Sequence, residues 1–194
     1  MTVQTRPVSY GELIKANGNF RNLWFGQIVS LMGDWFNIIA TAILIAKLTN
    51  SGLAVGALFV IRALAQFVTG PFGGVLADRF NRKLILIWAD VARAVIVLGF
   101  LLVKEANQVW LLYTLTAVQI GISGFFFTAR TAILPDVVEP SGVWTANAIT
   151  AATWSTMLAI GAATGGIVAG VLGIHAAFLI DGFTFLLSAA FIAQ

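Results

Sequence analysis

An all-α, polytopic membrane protein with six transmembrane helices is the fold class the sequence predicts, and three observations carry it. Apolar runs long enough to cross a bilayer's hydrocarbon core, which takes about 20 residues, recur from end to end. Only 10% of the 194 residues are charged and 59% are hydrophobic, whereas charged residues make up about a quarter of a soluble domain. The cations gather at alternate ends of the runs, as the inward bias of Lys and Arg requires.

Taken in order, residues 1–21 are polar and carry Arg6, Lys15 and Arg21. They lack the short apolar core and small-residue cleavage site of a signal peptide, so the first helix is expected to insert uncleaved from a cytoplasmic N-terminus. Spans are expected at about 22–47, 54–77, 84–103, 109–128, 144–172 and 176–194. The first exceeds the minimum length and is expected to tilt. Short outer turns fall at 49–52, 104–108 and 173–175. An inner loop is expected after the fourth span, where Arg130, Pro135, Asp136, Glu139 and Pro140 cluster, because proline is unwelcome in a helix interior. This topology puts Arg6, Lys15, Arg21, Arg79, Arg82, Lys83 and Arg130 inside and only Lys47 and Lys104 outside. The sixth span reaches Gln194 with no cytoplasmic anchor after it, so the chain is expected to be truncated at its C-terminus.

Several function classes are excluded. A net charge of +3 is too small, and too well explained by topology, to indicate a nucleic-acid partner. Without cysteine there is no disulfide framework or thiolate metal site, and with His175 alone there is no multi-histidine metal site. No Gly-x-x-x-x-Gly-Lys segment cradles phosphates. The Gly33-Asp34 step has no second acidic motif to form a protease dyad, and His175 has no serine partner in a recognisable context. The expectation is a non-enzyme with no metal and no cofactor.

Ionisable residues within a span are expensive and are functional candidates by default. Asp34 lies near the middle of the first span, and Gln27, Ser30, Asp34, Asn37 and Thr41 stack on one helix face at intervals of three or four. Such a stripe is expected to face a water-filled cavity. Asp34 is then either a carboxylate that protons and a cationic substrate contest, or one held ionised by a fixed cation. Arg62, at similar depth in the second span and followed by Gln66 on its face, is a candidate partner for Asp34, for Asp181 or for an anionic substrate. Thr116, Gln119 and Ser123 share a face of the fourth span and are expected to extend the cavity lining. Asp90 and Arg93, three residues apart, are expected to form an intrahelical structural pair, and Asp181 is also expected in a structural ion pair. Gly161, Gly165, Gly166 and Gly170 on the fifth span are expected to let helices cross closely.

The second and third spans meet at Gly74-Val75-Leu76-Ala77-Asp78-Arg79-Phe80-Asn81-Arg82-Lys83. Asp78 sits where a helix macrodipole disfavours an anion, so a positive partner is expected, such as Arg79, Arg82 or another helix N-terminus. Gly70, Gly73 and Gly74 before it are expected to admit a neighbouring backbone. Gly74-x-x-x-Asp78-Arg79-x-Asn81-Arg82-Lys83 resembles the signature loop of the major facilitator superfamily. That pattern usually has glycine at the place of Asn81, and asparagine tolerates the left-handed conformation glycine would supply. Phe20-Arg21-Asn22-Leu23-Trp24, Ala129-Arg130-x-x-x-Leu134-Pro135-Asp136 and Ala177-Phe178-x-x-Asp181 support the resemblance. Together they are similar to the efflux branch that includes macrolide and siderophore exporters.

The resemblance implies one half of a twelve-helix fold, built as two inverted three-helix repeats. It implies proton-gradient-driven efflux of amphipathic small molecules from a bacterial cell, through the cytoplasmic membrane. The partners implied are that substrate, the lipid bilayer, and a missing C-terminal six-helix half or a second copy. Gly74, Asp78, Arg79, Arg82 and Lys83 would form the conformational-switch loop, with Asp78 latching onto the opposite half. Antiporter members usually carry a Gly-Pro step on the fifth helix, where this chain has Gly161-Ala162. A facilitator or importer of a polar solute, a membrane scaffold and an inactive truncated half are the alternatives.

Overall fold

The structure, a computed structural model, describes residues 8–194. Among them the chain forms α1 (Tyr10–Ala16), α2 (Gly18–Thr49), α3 (Gly52–Arg79), α4 (Arg82–Phe100), α5 (Val109–Val137), α6 (Val143–Val171) and α7 (Ile174–Ala193), with a single 3-10 turn at Ala106–Gln108. Five of these helices are long and apolar enough to cross a membrane, namely α2, α3, α5, α6 and α7. The remaining long helix, α4, has 19 residues and includes Arg82, Lys83, Asp90 and Arg93.

Local chemistry sets the helix ends. Asn17 caps α2 by accepting from the Phe20 amide at 2.9 Å, and its own amide donates to the Val137 carbonyl of α5 at 2.6 Å. Ser51 and Asn81 cap α3 and α4 in the same manner, leaving fewer orphan donors. Asn50 closes α2 at φ 50°, and Gly173 turns the chain between α6 and α7 at φ 91°, where a side chain would be strained.

Four boundaries differ from the sequence expectation. Residues 10–16 are helical because Leu13 reaches the apolar cluster around Phe20, Leu23 and Leu134. Arg6 lies outside the described residues. The fourth span does not end near 128: α5 runs on to Val137 with Pro135 inside it, and Arg130 and Asp136 are helical rather than in a loop. Pro135 is tolerated because only Asp136 and Val137 follow it in the helix and Thr131, whose carbonyl loses a donor, is exposed. The signature segment is mostly helix, with Phe80 and Asn81 alone between α3 and α4. Asn81 is not left-handed, since φ −62° and ψ 114° place it in the extended region, where it serves as a cap.

The principal packing pairs are α2 with α7, α2 with α6, α3 with α5, α4 with α5, and α4 with α7. Exchanging α2, α3 and α4 with α5, α6 and α7 maps this set onto itself. That is the pairing two three-helix repeats produce. Two apolar clusters flank the middle of the bundle. One holds Phe20, Leu86, Phe126 and Leu134. The other holds Phe36, Val97, Phe100, Leu112 and Phe178. Asp34 of α2 and Asp90 and Arg93 of α4 fall between them. By contrast α3 buries only Leu58, Gly73 and Ala77, and leaves Phe59, Phe67 and Phe72 exposed.

Candidate functional site

Arg93 is the centre of the polar middle. It is fully buried, and its guanidinium lies between the Phe126 and Phe185 rings, 4.4 Å and 4.2 Å from their centroids. It pairs with Asp90 one turn earlier on α4, and its Nη1 stands 3.8 Å from Asp34 Oδ2 on α2. The same nitrogen donates to Ser123 Oγ on α5 at 3.3 Å. Stacking on aromatic faces and forking to two carboxylates are what a guanidinium does and an ammonium does not. One side chain therefore ties α2, α4, α5 and α7 together.

The Asp90–Arg93 pair was legible from spacing, but the link to Asp34 was not. Depth could have suggested it, because Asp34 and Arg93 lie about 12 and about nine residues into their spans from the expected inner face, within one helical turn of each other. Arg62, the partner expected from the second span, forms no ion pair within 4.0 Å among the described residues. It instead lines a cavity of about 260 Å³ with Asp34, Gln66 and Ser123. The apolar part of that wall includes Trp35 and Phe127.

The rest of the polar stripe does not line this cavity, contrary to expectation. Gln27, Ser30, Asn37 and Thr41 are all at most 3% exposed, as is Gln119 on α5. They are enclosed because α6 and α7 both pack on α2. Thr41 Oγ1 bonds Asn37 Oδ1 at 3.3 Å. Gln27 joins a separate cluster in which Arg130 donates to it and, at 3.1 Å, to Thr150 Oγ1 on α6. Arg130 is 3% exposed with no carboxylate within 4.0 Å among the described residues. Reading it as a loop residue concealed that role.

Asp181 corrects a further expectation. It is fully buried on α7, but among the described residues it makes no ion pair within 4.0 Å and neither carboxyl oxygen has a hydrogen-bond partner. It packs against Gly33, where a Cβ would stand 2.6 Å from Asp181 Oδ1 and 1.9 Å from Thr184 Oγ1. Glycine is required there for α7 to come this close to α2.

Of the predicted packing glycines, Gly161 and Gly165 meet Trp35 of α2, whereas Gly166 and Gly170 face open space. The four cannot all pack on one partner, since residues five apart point in different directions around a helix. At the α3–α4 junction Gly73 abuts Thr128, while Gly70 and Gly74 have no neighbour. Asp78 is exposed and, among the described residues, pairs with no cation within 4.0 Å. Arg82 pairs instead with Asp136 of α5 at 2.6 Å, and Lys83 donates to the Ala193 carbonyl at 2.8 Å. Arg79 is exposed.

A family model described as Major Facilitator Superfamily matches residues 23–193. The chain is 32% identical over 178 residues to the MFS-type transporter YfiS of Bacillus subtilis, covering 91% of this chain and 42% of that protein. It is 32% identical over 176 residues to a Bacillus amyloliquefaciens protein named "Putative bacilysin exporter BacE", covering 91% and 44%. It is 28% identical over 167 residues to multidrug resistance protein MdtG of Proteus mirabilis, covering 84% and 40%. The chain thus spans less than half the length of these curated relatives.

Proposed function

Because this chain belongs to the major facilitator superfamily, we propose that it is the N-terminal half of a secondary transporter that exports amphipathic small molecules in exchange for protons. Asp34 carries the reading: its side chain is 18% exposed and opens on the cavity, while its carboxylate faces Arg93 across 3.8 Å. An acid in contact with both water and a buried cation is one that a proton or a cationic substrate can contest. The export direction is supported by the names of two relatives, one an exporter and one a multidrug resistance protein.

In this reading α4 is a sixth span. Its charges are accommodated because Asp90 and Arg93 are fully buried and paired, and Arg82 and Lys83 lie at its end. The N-terminus is cytoplasmic by the distribution of cations. A second six-helix half covers the exposed face of α3, and the two bundles rock about the midplane site. Asp78, exposed and unpaired here, engages that half and latches one conformation, with Gly74, Arg79, Arg82 and Lys83 shaping the segment. The test is ethidium export from membrane vesicles under an imposed pH gradient. Wild type is expected to move ethidium uphill and Asp34→Asn only downhill. Uphill transport by Asp34→Asn equal to wild type removes Asp34 from the mechanism.

The proximity of Arg93 to Asp34 favours a second reading, in which Asp34 stays ionised and orients a polar solute in a facilitator or importer. Transport insensitive to a protonophore would select it.

A further inference from the structure

We propose that Asp181 is a proton-binding site, distinct from Asp34 and deeper in the bundle, and that it holds its proton in the conformation described above. The use made of that proton rests on the proton-coupled reading; its presence rests on the packing of α7 alone. Among the described residues, Asp181 has no exposed surface, no ion pair within 4.0 Å and no hydrogen bond to either oxygen. An ionised carboxylate there would lose its hydration without an ion pair in return, and a buried group so placed takes up a proton instead.

The neighbouring charges point the same way. Facing Asp181 are Asp34 from α2, Arg93 from α4 and Arg62 from α3, with the Asn37 amide beside it. Asp90 on α4 is held by Arg93. Two guanidinium groups balance the carboxylates of Asp34 and Asp90. A third carboxylate would leave the centre of a membrane bundle with a net negative charge, and would lie next to Asp34 as a like charge. With Asp181 neutral the cluster is balanced.

The two acids then divide the work. Asp34 is open to the cavity and exchanges with water, whereas Asp181 is sealed behind Gly33 and Thr184. Release of the Asp181 proton to the cavity by way of Asp34 adds a carboxylate that competes for Arg93. Since Arg93 joins four helices, that competition shifts the packing of α7 against α2 and α4. Proton occupancy at Asp181 thereby biases the conformation without Asp181 touching substrate.

The test is infrared absorption of the purified native protein in nanodiscs at neutral pH, in H2O and in D2O, without substrate. A protonated-carboxyl C=O band is expected in wild type, shifted in Asp181→Glu and lost in Asp181→Asn. The shift in Asp181→Glu assigns the proton to Asp181 even if Asp181→Asn cannot be purified. Absence of the band from wild type, an unshifted band in Asp181→Glu, or a spectrum of Asp181→Asn equal to that of wild type overturns the proposal. Ethidium export is scored separately: wild-type vesicles that move no ethidium would refute the efflux reading and leave the infrared assignment standing.

Discussion

Gly33 and Arg93 do at the residue scale what neither hydropathy nor length could. Gly33 sets the distance between α2 and α7, because a Cβ there would fall within 1.9 Å of Thr184 Oγ1. Gly33→Ala must push α7 outward or twist Thr184 off its rotamer, and overpacking of that kind costs about 1–3 kcal/mol. A lowered thermal midpoint in detergent is expected, with Gly166→Ala, which meets open space, unchanged. Arg93→Met leaves Asp34 and Asp90 without their cation, and breaking a buried pair in this manner costs about 3–5 kcal/mol. Combining it with Asp90→Asn is expected to recover part of the loss. Strictly additive midpoint shifts in that double-mutant cycle would show that Arg93 and Asp90 do not interact.

Helix ends and faces decide the next level. Arg82 and Lys83 occupy the first turn of α4, where the macrodipole disfavours cations. Each is satisfied by another helix: Arg82 by Asp136 of α5, and Lys83 by the Ala193 carbonyl at the C-terminus of α7, where a cation is favoured. The Arg82–Asp136 pair is solvent-accessible on both sides, so Asp136→Asn is expected to cost no more than about 1 kcal/mol. The difference from wild type should shrink in high salt, and a salt-independent loss would mean Asp136 acts by other than charge. On α6, Gly161 and Gly165 pack on Trp35 while Gly166 and Gly170 point away. Leucine at 161 should therefore unfold the bundle far sooner than leucine at 170.

Across the whole molecule, one face remains uncovered. Along α3, Phe67 is 81% exposed and Phe72 62%, a surface suited to lipid or to another helix bundle. Relatives more than twice the length of the matched region supply the second bundle in the proposed reading. The chain contains no cysteine, so Phe67→Cys gives this half one defined thiol, to be paired with single cysteines in a C-terminal half. Disulfide formation is expected within the full protein, and its absence with every partner would assign this face to lipid. An antibody against 1–19 is expected to detect a band near twice 20.6 kDa in native membranes.

That the chain is built of long apolar helices, and the family to which it belongs, were legible in the residues. Run length, hydropathy and the spacing of polar residues are local properties, and the family match over residues 23–193 agrees with the resemblance read from them. The pair Asp90–Arg93 was legible for the same reason, since both members ride on one helix. What needed the tertiary structure was every choice between helices: Arg93 rather than Arg62 beside Asp34, Asp181 left without a partner, Gly33 rather than Gly166 at a close approach, and Arg130 against Gln27. Those choices depend on how each helix is rotated about its axis and how near its neighbour lies. Residues at equal depth on different spans look alike in sequence, and only packing separates them. Pro135 taught the same lesson at an end: its cost depends on whether the carbonyl it orphans meets solvent, which burial alone decides.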